Sequence, residues 1–73
     1  MFTTYRYTYR YGNEDDSVDA TIKEFKNIEK AIKYLRRYQN GTRYVSCKIE
    51  DDNFNILYED IAGVGETINT TDI

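Results

Sequence analysis

The sequence predicts a small α+β domain in which a four-stranded, mostly antiparallel sheet carries one helix packed on one face. Two alternating runs precede an amphipathic segment, two more follow it, and turn-forming residues separate the runs. The predicted order is therefore β-β-α-β-β. A length of 73 residues suits one domain, which we place at residues 1–60, with a loosely ordered acidic tail at residues 61–73.

The first predicted strand is an alternating run of tyrosines near the N-terminus. Tyr5, Tyr7 and Tyr9 fall on one side of an extended chain, and Arg6 and Arg10 fall on the other. Because a sheet covered by one helix needs one apolar face, we expect the tyrosines to be buried under the helix. The alternative is that they are exposed and stack on bases, as aromatic residues of single-strand binders do.

The second predicted strand follows a hairpin loop at residues 12–16, which are rich in turn formers. Val18, Ala20 and Ile22 alternate with polar residues and so share one face of this strand. We expect the strand to pair antiparallel with the first and to bury its apolar side beneath the helix.

An amphipathic helix is predicted over residues 27–40. Asn27 is suited to the cap position, because its side-chain oxygen can accept from a free backbone N–H of the first turn. The apolar positions that recur at helical spacing are Ile28, Ala31, Ile32 and Leu35. Gly41 offers the left-handed conformation that commonly ends a helix.

Two further strands are predicted after the helix, separated by a turn at residues 51–53. Their apolar positions are Val45, Cys47 and Ile49 in the third strand, and Phe54, Ile56 and Tyr58 in the fourth. The second and third strands should run parallel if they share a sheet, because the helix connects them by a crossover. The alternation stops after Asp60, which predicts the loose tail.

The residue types that most active sites recruit are scarce. There is no histidine and Cys47 is the only cysteine, so the usual zinc sites and His-based acid–base catalysis cannot be built from one chain. The four glycines fall in no phosphate-binding loop pattern. We therefore predict a protein that is not an enzyme and that uses no cofactor and no metal. The single cysteine favours a cytoplasmic location, and the lack of a long apolar run argues against a membrane partner.

Charge is segregated along the chain. Residues 23–48 include eight Lys or Arg against two Glu, whereas residues 49–73 include seven Asp or Glu and no Lys or Arg. Spaced carboxylates can imitate nucleic-acid phosphates and enter a basic groove of a partner protein, although they can also simply solubilise turns. The candidate acidic contacts are Asp15, Asp16, Asp51, Asp52, Glu59 and Asp60.

A basic surface is the competing candidate. Cations lie on one side of the first strand and along the helix, where they could bind nucleic acid. They could instead form cross-strand ion pairs with acids in neighbouring strands, or a solvated helix face. The candidate nucleic-acid contacts are Arg6, Arg10, Lys30, Lys33, Arg36, Arg37 and Lys48.

The helical segment 25–35, the strand 44–49 and the Asp-rich hairpin together resemble small accessory proteins of bacteriophages and mobile elements. Richness in Ile, Lys, Asn, Tyr and Thr is similar to that of proteins from the AT-rich genomes of low-GC Gram-positive bacteria and their phages. The resemblance implies a protein that binds and inhibits a host enzyme or defence complex, a class that includes anti-CRISPR and anti-restriction proteins.

The leading hypothesis is a non-enzymatic, phage-type inhibitor that uses its acidic surface in the host cytoplasm. Its partner would be a host nucleic-acid-handling or defence protein with a basic groove. A small nucleic-acid-binding protein is the alternative, and a net charge of -3 disfavours it for the molecule as a whole. A third hypothesis is a self-associating protein, a homodimer in which the edge of the first strand pairs with a second copy.

Overall fold

The computed structural model describes residues 1–10, 17–39, 41 and 43–69. Its elements in chain order are β1 (Phe2–Tyr9), β2 (Val18–Phe25), α1 (Ile28–Arg36), β3 (Tyr44–Glu50), β4 (Ile56–Ile61) and β5 (Gly65–Ile68). The α+β class is confirmed, and the described residues form one helix on one face of the sheet. The sheet has five strands where the sequence predicted four.

The strand order is β2-β1-β3-β4-β5, and every neighbouring pair is antiparallel. β2 and β3 therefore run in the same direction on either side of β1, as predicted. β1 is paired on both of its sides, so the expectation that it offers a free edge to a second copy is wrong. The end strand next to β1 is β2.

β5 forms from residues that were expected to belong to a loose tail. Gly63 and Gly65 have φ values of 84° and 111°, a backbone region that other residues rarely adopt. They build the turn that returns the chain alongside β4, where Val64 N donates to Ile61 O at 2.9 Å. All four residues of β5 are exposed, so this strand has no alternating apolar pattern in the sequence.

An ion pair joins β5 to the helix. Arg36 Nε and Nη2 donate to the two carboxylate oxygens of Glu66 at 3.0 and 2.9 Å. These hydrogen bonds lower the pKa of Glu66 and raise that of Arg36. The Arg36–Glu66 pair therefore connects β5, an end strand of the sheet, to α1.

Replacing Glu66 by glutamine is expected to reduce stability at pH 7 by at most about 1 kcal/mol, because both partners are partly exposed. The lowered pKa means that the pair stabilises folding above the usual glutamate pKa of 4.5. This contribution is lost as the pH falls through the lowered value. Urea unfolding should separate wild type from Glu66→Gln at pH 7 and bring them together near about pH 2. A gap of equal size at both pH values would contradict the assignment.

α1 begins where the sequence predicted and ends earlier. Asn27 is its N-cap, and the Asn27 side chain accepts from Lys30 N at 3.1 Å. The helix is capped at Arg37 in a right-handed conformation. Gly41 is therefore not its left-handed cap, and the predicted span of 27–40 was too long.

The core lies between α1 and one face of the sheet. Its buried hydrophobic residues are Ala31, Ile32, Leu35, Tyr44, Cys47, Ile49 and Tyr58. The inward positions predicted for α1 are confirmed, as are those of Cys47 and Ile49 in β3. Phe54, predicted to begin the fourth strand on the buried side, instead lies in the β3–β4 turn with φ 65° and is 80% exposed.

The predicted orientation of β1 and β2 is wrong. Directly opposed residues of antiparallel strands share a face, and Thr4 opposes the buried Ile49 while Arg6 opposes the buried Cys47. The side of β1 with Thr4 and Arg6 therefore lies under the helix. Tyr5, Tyr7 and Tyr9 lie on the opposite face, together with Val18, Ala20 and Ile22 of β2.

Tyr34 of α1 and Tyr38 of the turn after it explain why polar residues can lie beneath the helix. The Arg6 guanidinium lies 3.9 Å from the ring centroid of Tyr38 and 5.9 Å from that of Tyr34, an attraction that favours desolvated cations. Thr4 is fully buried, and its hydroxyl donates to Lys23 O at 2.9 Å. The assumption that a helix-covered face must be apolar failed here, because ring faces and a backbone carbonyl accommodate these groups.

Candidate interaction surface

One face of the sheet is left uncovered by α1, the only helix among the described residues, and we call it the open face. The strand registers place side chains of four strands on it. Its residues are Thr3, Tyr5, Tyr7 and Tyr9 of β1, Val18, Ala20, Ile22 and Glu24 of β2, Ser46, Lys48 and Glu50 of β3, and Glu59 and Ile61 of β4. This face is where the described part of the chain has room for a partner.

The centre of the open face is aromatic and aliphatic. Tyr5, Tyr7 and Tyr9 follow one another along β1 and are half-buried by their neighbours. Val18 and Ile22 lie beside them on β2 and are 47% and 60% exposed. A contiguous apolar patch with a polar rim is typical of an interaction site on a small protein.

The rim of the open face is mainly acidic. Thr3 is flanked by Glu24 on β2 and by Glu50 on β3, and Glu59 on β4 lies opposite Lys48. Lys48 Nζ lies 2.8 Å from Glu50 and 5.0 Å from the centroid of the Tyr5 ring. The hydrogen bond to Glu50 raises the pKa of Lys48. Three carboxylates against one cation give the open face a net negative charge.

The six acidic candidates do not form one surface. Glu59 lies on the open face, whereas Asp51 and Asp52 lie in the turn between β3 and β4. Asp51 accepts hydrogen bonds from Asn53 N and Asn55 N at 2.8 and 3.0 Å and from the Asn55 side chain at 3.0 Å. These bonds, foremost that from the Asn55 side chain, lower the pKa of Asp51. Asp51 thus shapes the turn.

The remaining acidic candidates are placed differently. Asp52 is exposed and binds the N-terminal ammonium at 3.0 Å. Asp60 faces the helix side and is only 8% exposed. The prediction that it is a surface contact is therefore wrong. Asp15 and Asp16 lie outside the described residues.

A buried polar cluster holds Asp60. The Tyr44 hydroxyl donates to Asp60 Oδ2 at 2.5 Å and lies 3.2 Å from Cys47 Sγ, while Gln39 Nε2 donates to the Tyr58 hydroxyl at 2.9 Å. Burial raises the pKa of Tyr44 and of Cys47, and raises that of Tyr58 to about 12. These groups keep their protons near neutral pH, so Cys47 has little thiolate character.

No feature of the sequence pointed to this cluster. A register shift between Tyr7 and Thr8 pairs Thr8 with Tyr44, which brings Tyr44 to the helix side. The alternation that buries Cys47 and Ile49 would by itself place Tyr44 on the opposite face. Tyr44 and Asp60 are separated by 16 residues in the chain, so their contact depends on the bulge.

The basic candidates lie in separate places. Arg6 is beneath the helix, Arg10 is bound to Asp19 at 2.9 Å, and Arg36 is bound to Glu66. Lys48 lies on the open face. The cations that do come together line a groove of about 250 Å³ between α1 and β2, which we call the helix-side groove. Its residues are Lys23, Phe25, Lys30, Lys33, Tyr34 and Arg37.

No protein-family model matches the chain, and neither curated proteins nor solved structures match it. Over the ranges that the structure describes, no helix has the length and apolar character needed to cross a membrane. Within the same ranges, no three His, Cys, Asp or Glu side chains come together as a metal site would require. In the described part of the chain, the open face and the helix-side groove are the surfaces that the residues above define.

Proposed function

We propose that this chain is a non-enzymatic binding protein that docks through its open face on another protein and blocks a basic groove of that protein. The observation that carries the proposal is the uncovered tyrosine strip bordered by Glu24, Glu50 and Glu59. Tyrosine suits such a role because it supplies a large rigid contact area with a polar end. The acidic rim suits a partner of opposite charge.

The charge of the open face favours a protein over a nucleic acid at this surface. Exposed tyrosines can stack on bases, but single-strand binders combine stacking with a positive groove that follows the phosphates. Here the cation Lys48 is bound to Glu50 and lies opposite Glu59. Phosphates would meet net negative charge, whereas Lys or Arg side chains of a protein would meet complementary carboxylates.

The class of target comes from the sequence. A basic groove is typical of proteins that bind nucleic acid, and the resemblance to small phage accessory proteins implies an inhibitor of a host nucleic-acid-handling or defence protein. Charge complementarity would speed the encounter and make it sensitive to salt. Of the acidic candidates, Asp52 is exposed in the β3–β4 turn and Glu59 is half-buried on the open face.

A second candidate function is supported by the helix-side groove. Lys23, Lys30, Lys33 and Arg37 line it, and none of them makes an ion pair with a described residue. Like charges three and four residues apart on a helix repel one another, and a phosphate would relieve this repulsion. Phosphate backbone binding here would show as a mobility shift of a labelled oligonucleotide that weakens steeply with salt.

The decisive experiment compares two charge reversals of equal size on opposite sides of the molecule. Tagged wild type, Glu59→Lys and Glu29→Lys are used to capture protein from nuclease-treated lysates of low-GC Gram-positive bacteria. Glu59 lies on the open face and Glu29 in the first turn of α1. We expect a partner that wild type and Glu29→Lys recover, that Glu59→Lys recovers at least about tenfold less, and that high salt removes.

Other outcomes of the same capture would point elsewhere. Equal recovery by Glu59→Lys and wild type would exclude the rim of the open face as the contact. Recovery that occurs only from a lysate not treated with nuclease, and that a Lys33→Glu variant also loses, would favour the helix-side groove and nucleic acid. Circular dichroism of each variant checks that the fold is retained.

A further inference from the structure

β2 is an end strand of the sheet, and its outer side has no partner among the described residues. It is eight residues long, and all of them except half-buried Phe25 are exposed. An exposed strand edge presents unpaired N–H and C=O groups that can add another strand. β2 is therefore the place where the sheet can be extended.

The pattern of hydrogen bonds between β1 and β2 determines which backbone groups of β2 are not bonded to β1. Arg10 N donates to Ser17 O at 2.9 Å. In an antiparallel ladder, hydrogen-bonded and non-hydrogen-bonded pairs alternate. The β1–β2 register then places Asp19, Thr21 and Lys23 in bonded pairs with β1. The backbone groups that point outward belong to Val18, Ala20, Ile22 and Glu24.

The charges of β2 are complementary to those of a second, antiparallel β2. If two copies are centred on Thr21, Asp19 of each lies opposite Lys23 of the other. In the same register the outward groups of Ala20 lie opposite those of Ile22, so the backbone ladder is also satisfied. If the pair is instead centred on Ala20 or Ile22, the backbone ladder is also satisfied. In those registers, however, Asp19 does not lie opposite Lys23 of the other copy. Of these three registers, the one centred on Thr21 satisfies both the backbone hydrogen bonds and the pairing of Asp19 with Lys23.

Neither charged residue is prevented from making this contact. Asp19 is bound by Arg10 of its own chain at 2.9 Å, and a carboxylate has oxygen lone pairs for a further donor. Lys23 Nζ lies 5.3 Å and 5.1 Å from the ring centroids of Phe25 and Tyr34. Its long side chain is exposed and can turn toward the edge.

We infer that the protein forms a homodimer by antiparallel pairing of β2 with β2 of a second copy, centred on Thr21. The five-stranded sheets would join into one ten-stranded sheet. The two-fold axis of such a pair is perpendicular to the sheet, so both open faces lie on the same side. Val18, Ala20 and Ile22 of each copy then meet at the middle of one continuous surface. This inference does not depend on the proposed function.

The charge pairing is tested with two complementary variants. In Asp19→Lys the two pairs of the dimer become lysine against lysine, and in Lys23→Asp they become aspartate against aspartate. Sedimentation should show that each variant alone dissociates at concentrations about tenfold or more above wild type. A mixture of the two should associate again, because each opposed pair regains opposite charges. Failure of the mixture to associate would overturn the register.

The backbone pairing is tested with proline. Ala20→Pro removes an outward N–H that β1 does not use, so the monomer should fold while the dimer is lost. Ala20→Thr at the same position keeps the N–H and should keep the dimer. Circular dichroism of each variant confirms folding. A wild type that sediments as a monomer at every concentration, or a folded Ala20→Pro variant that still dimerises, would overturn the inference.

Discussion

Replacing Leu35 by alanine is expected to unfold a large share of the molecules at room temperature. Leu35 is fully buried at the centre of the contact between α1 and the sheet. Removing the three outermost side-chain carbons of a buried leucine costs about 2–5 kcal/mol, and the cost is largest where the cavity cannot collapse. A domain of this size rarely has more than about 3–5 kcal/mol in total. Urea or thermal unfolding followed by circular dichroism measures the loss.

A matched substitution on the other side of the sheet gives the control. Ile22→Ala also shortens a branched aliphatic side chain, but Ile22 is 60% exposed on the open face, so its loss should stay within about 0.5 kcal/mol. Similar losses for the two variants would mean that both faces of the sheet are buried in solution. That outcome would indicate that a partner on the open face, or the second copy paired at β2, covers Ile22.

Much of the fold followed from patterns that are local in the sequence. The cap at Asn27 and the apolar spacing of Ala31, Ile32 and Leu35 predicted the helix, because both depend on residues within one or two turns. The alternation of Cys47 and Ile49 predicted which side of β3 is buried. In both elements the backbone hydrogen-bonding groups are paired, and the apolar side that the residue spacing predicts is the buried one.

The orientation of β1 and β2 could not be obtained in that way. An alternating strand has two sides, and the sequence does not say which of them the helix covers. Arg6 can lie under the helix because the rings of Tyr34 and Tyr38 lie against its guanidinium, and those rings are about thirty residues away in the chain. β5 was missed for a different reason, since a fully exposed strand carries no apolar period.

The same limit applied to the candidate site. The sequence allowed the tyrosines of β1 to be either exposed or buried, and burial under the helix was predicted. The register of β1 against β3 instead places them on the face that the helix does not cover. Asp60 was selected because it lies in an acidic run, but adjacent residues of a strand face opposite sides. Glu59 is therefore on the open face, while Asp60 is hydrogen-bonded inside.

The largest effect on partner binding is expected from Tyr7→Ser. Tyr7 lies half-buried in the middle of the tyrosine strip and is flanked by the small side chains of Ala20 on β2 and Ser46 on β3. A central tyrosine of a protein interface commonly contributes about 2 kcal/mol, which corresponds to about thirtyfold in affinity. Titration of purified variants against the captured partner measures this loss.

Two further variants determine what such a loss means. Tyr7→Phe keeps the ring and should retain most of the affinity if contact area dominates, whereas a loss equal to that of Tyr7→Ser would assign the effect to the hydroxyl. Lys33→Glu reverses an exposed charge on the helix side and should leave binding unchanged. If Tyr7→Ser binds as tightly as wild type while Lys33→Glu does not, the partner contacts the helix side of the molecule and not the open face.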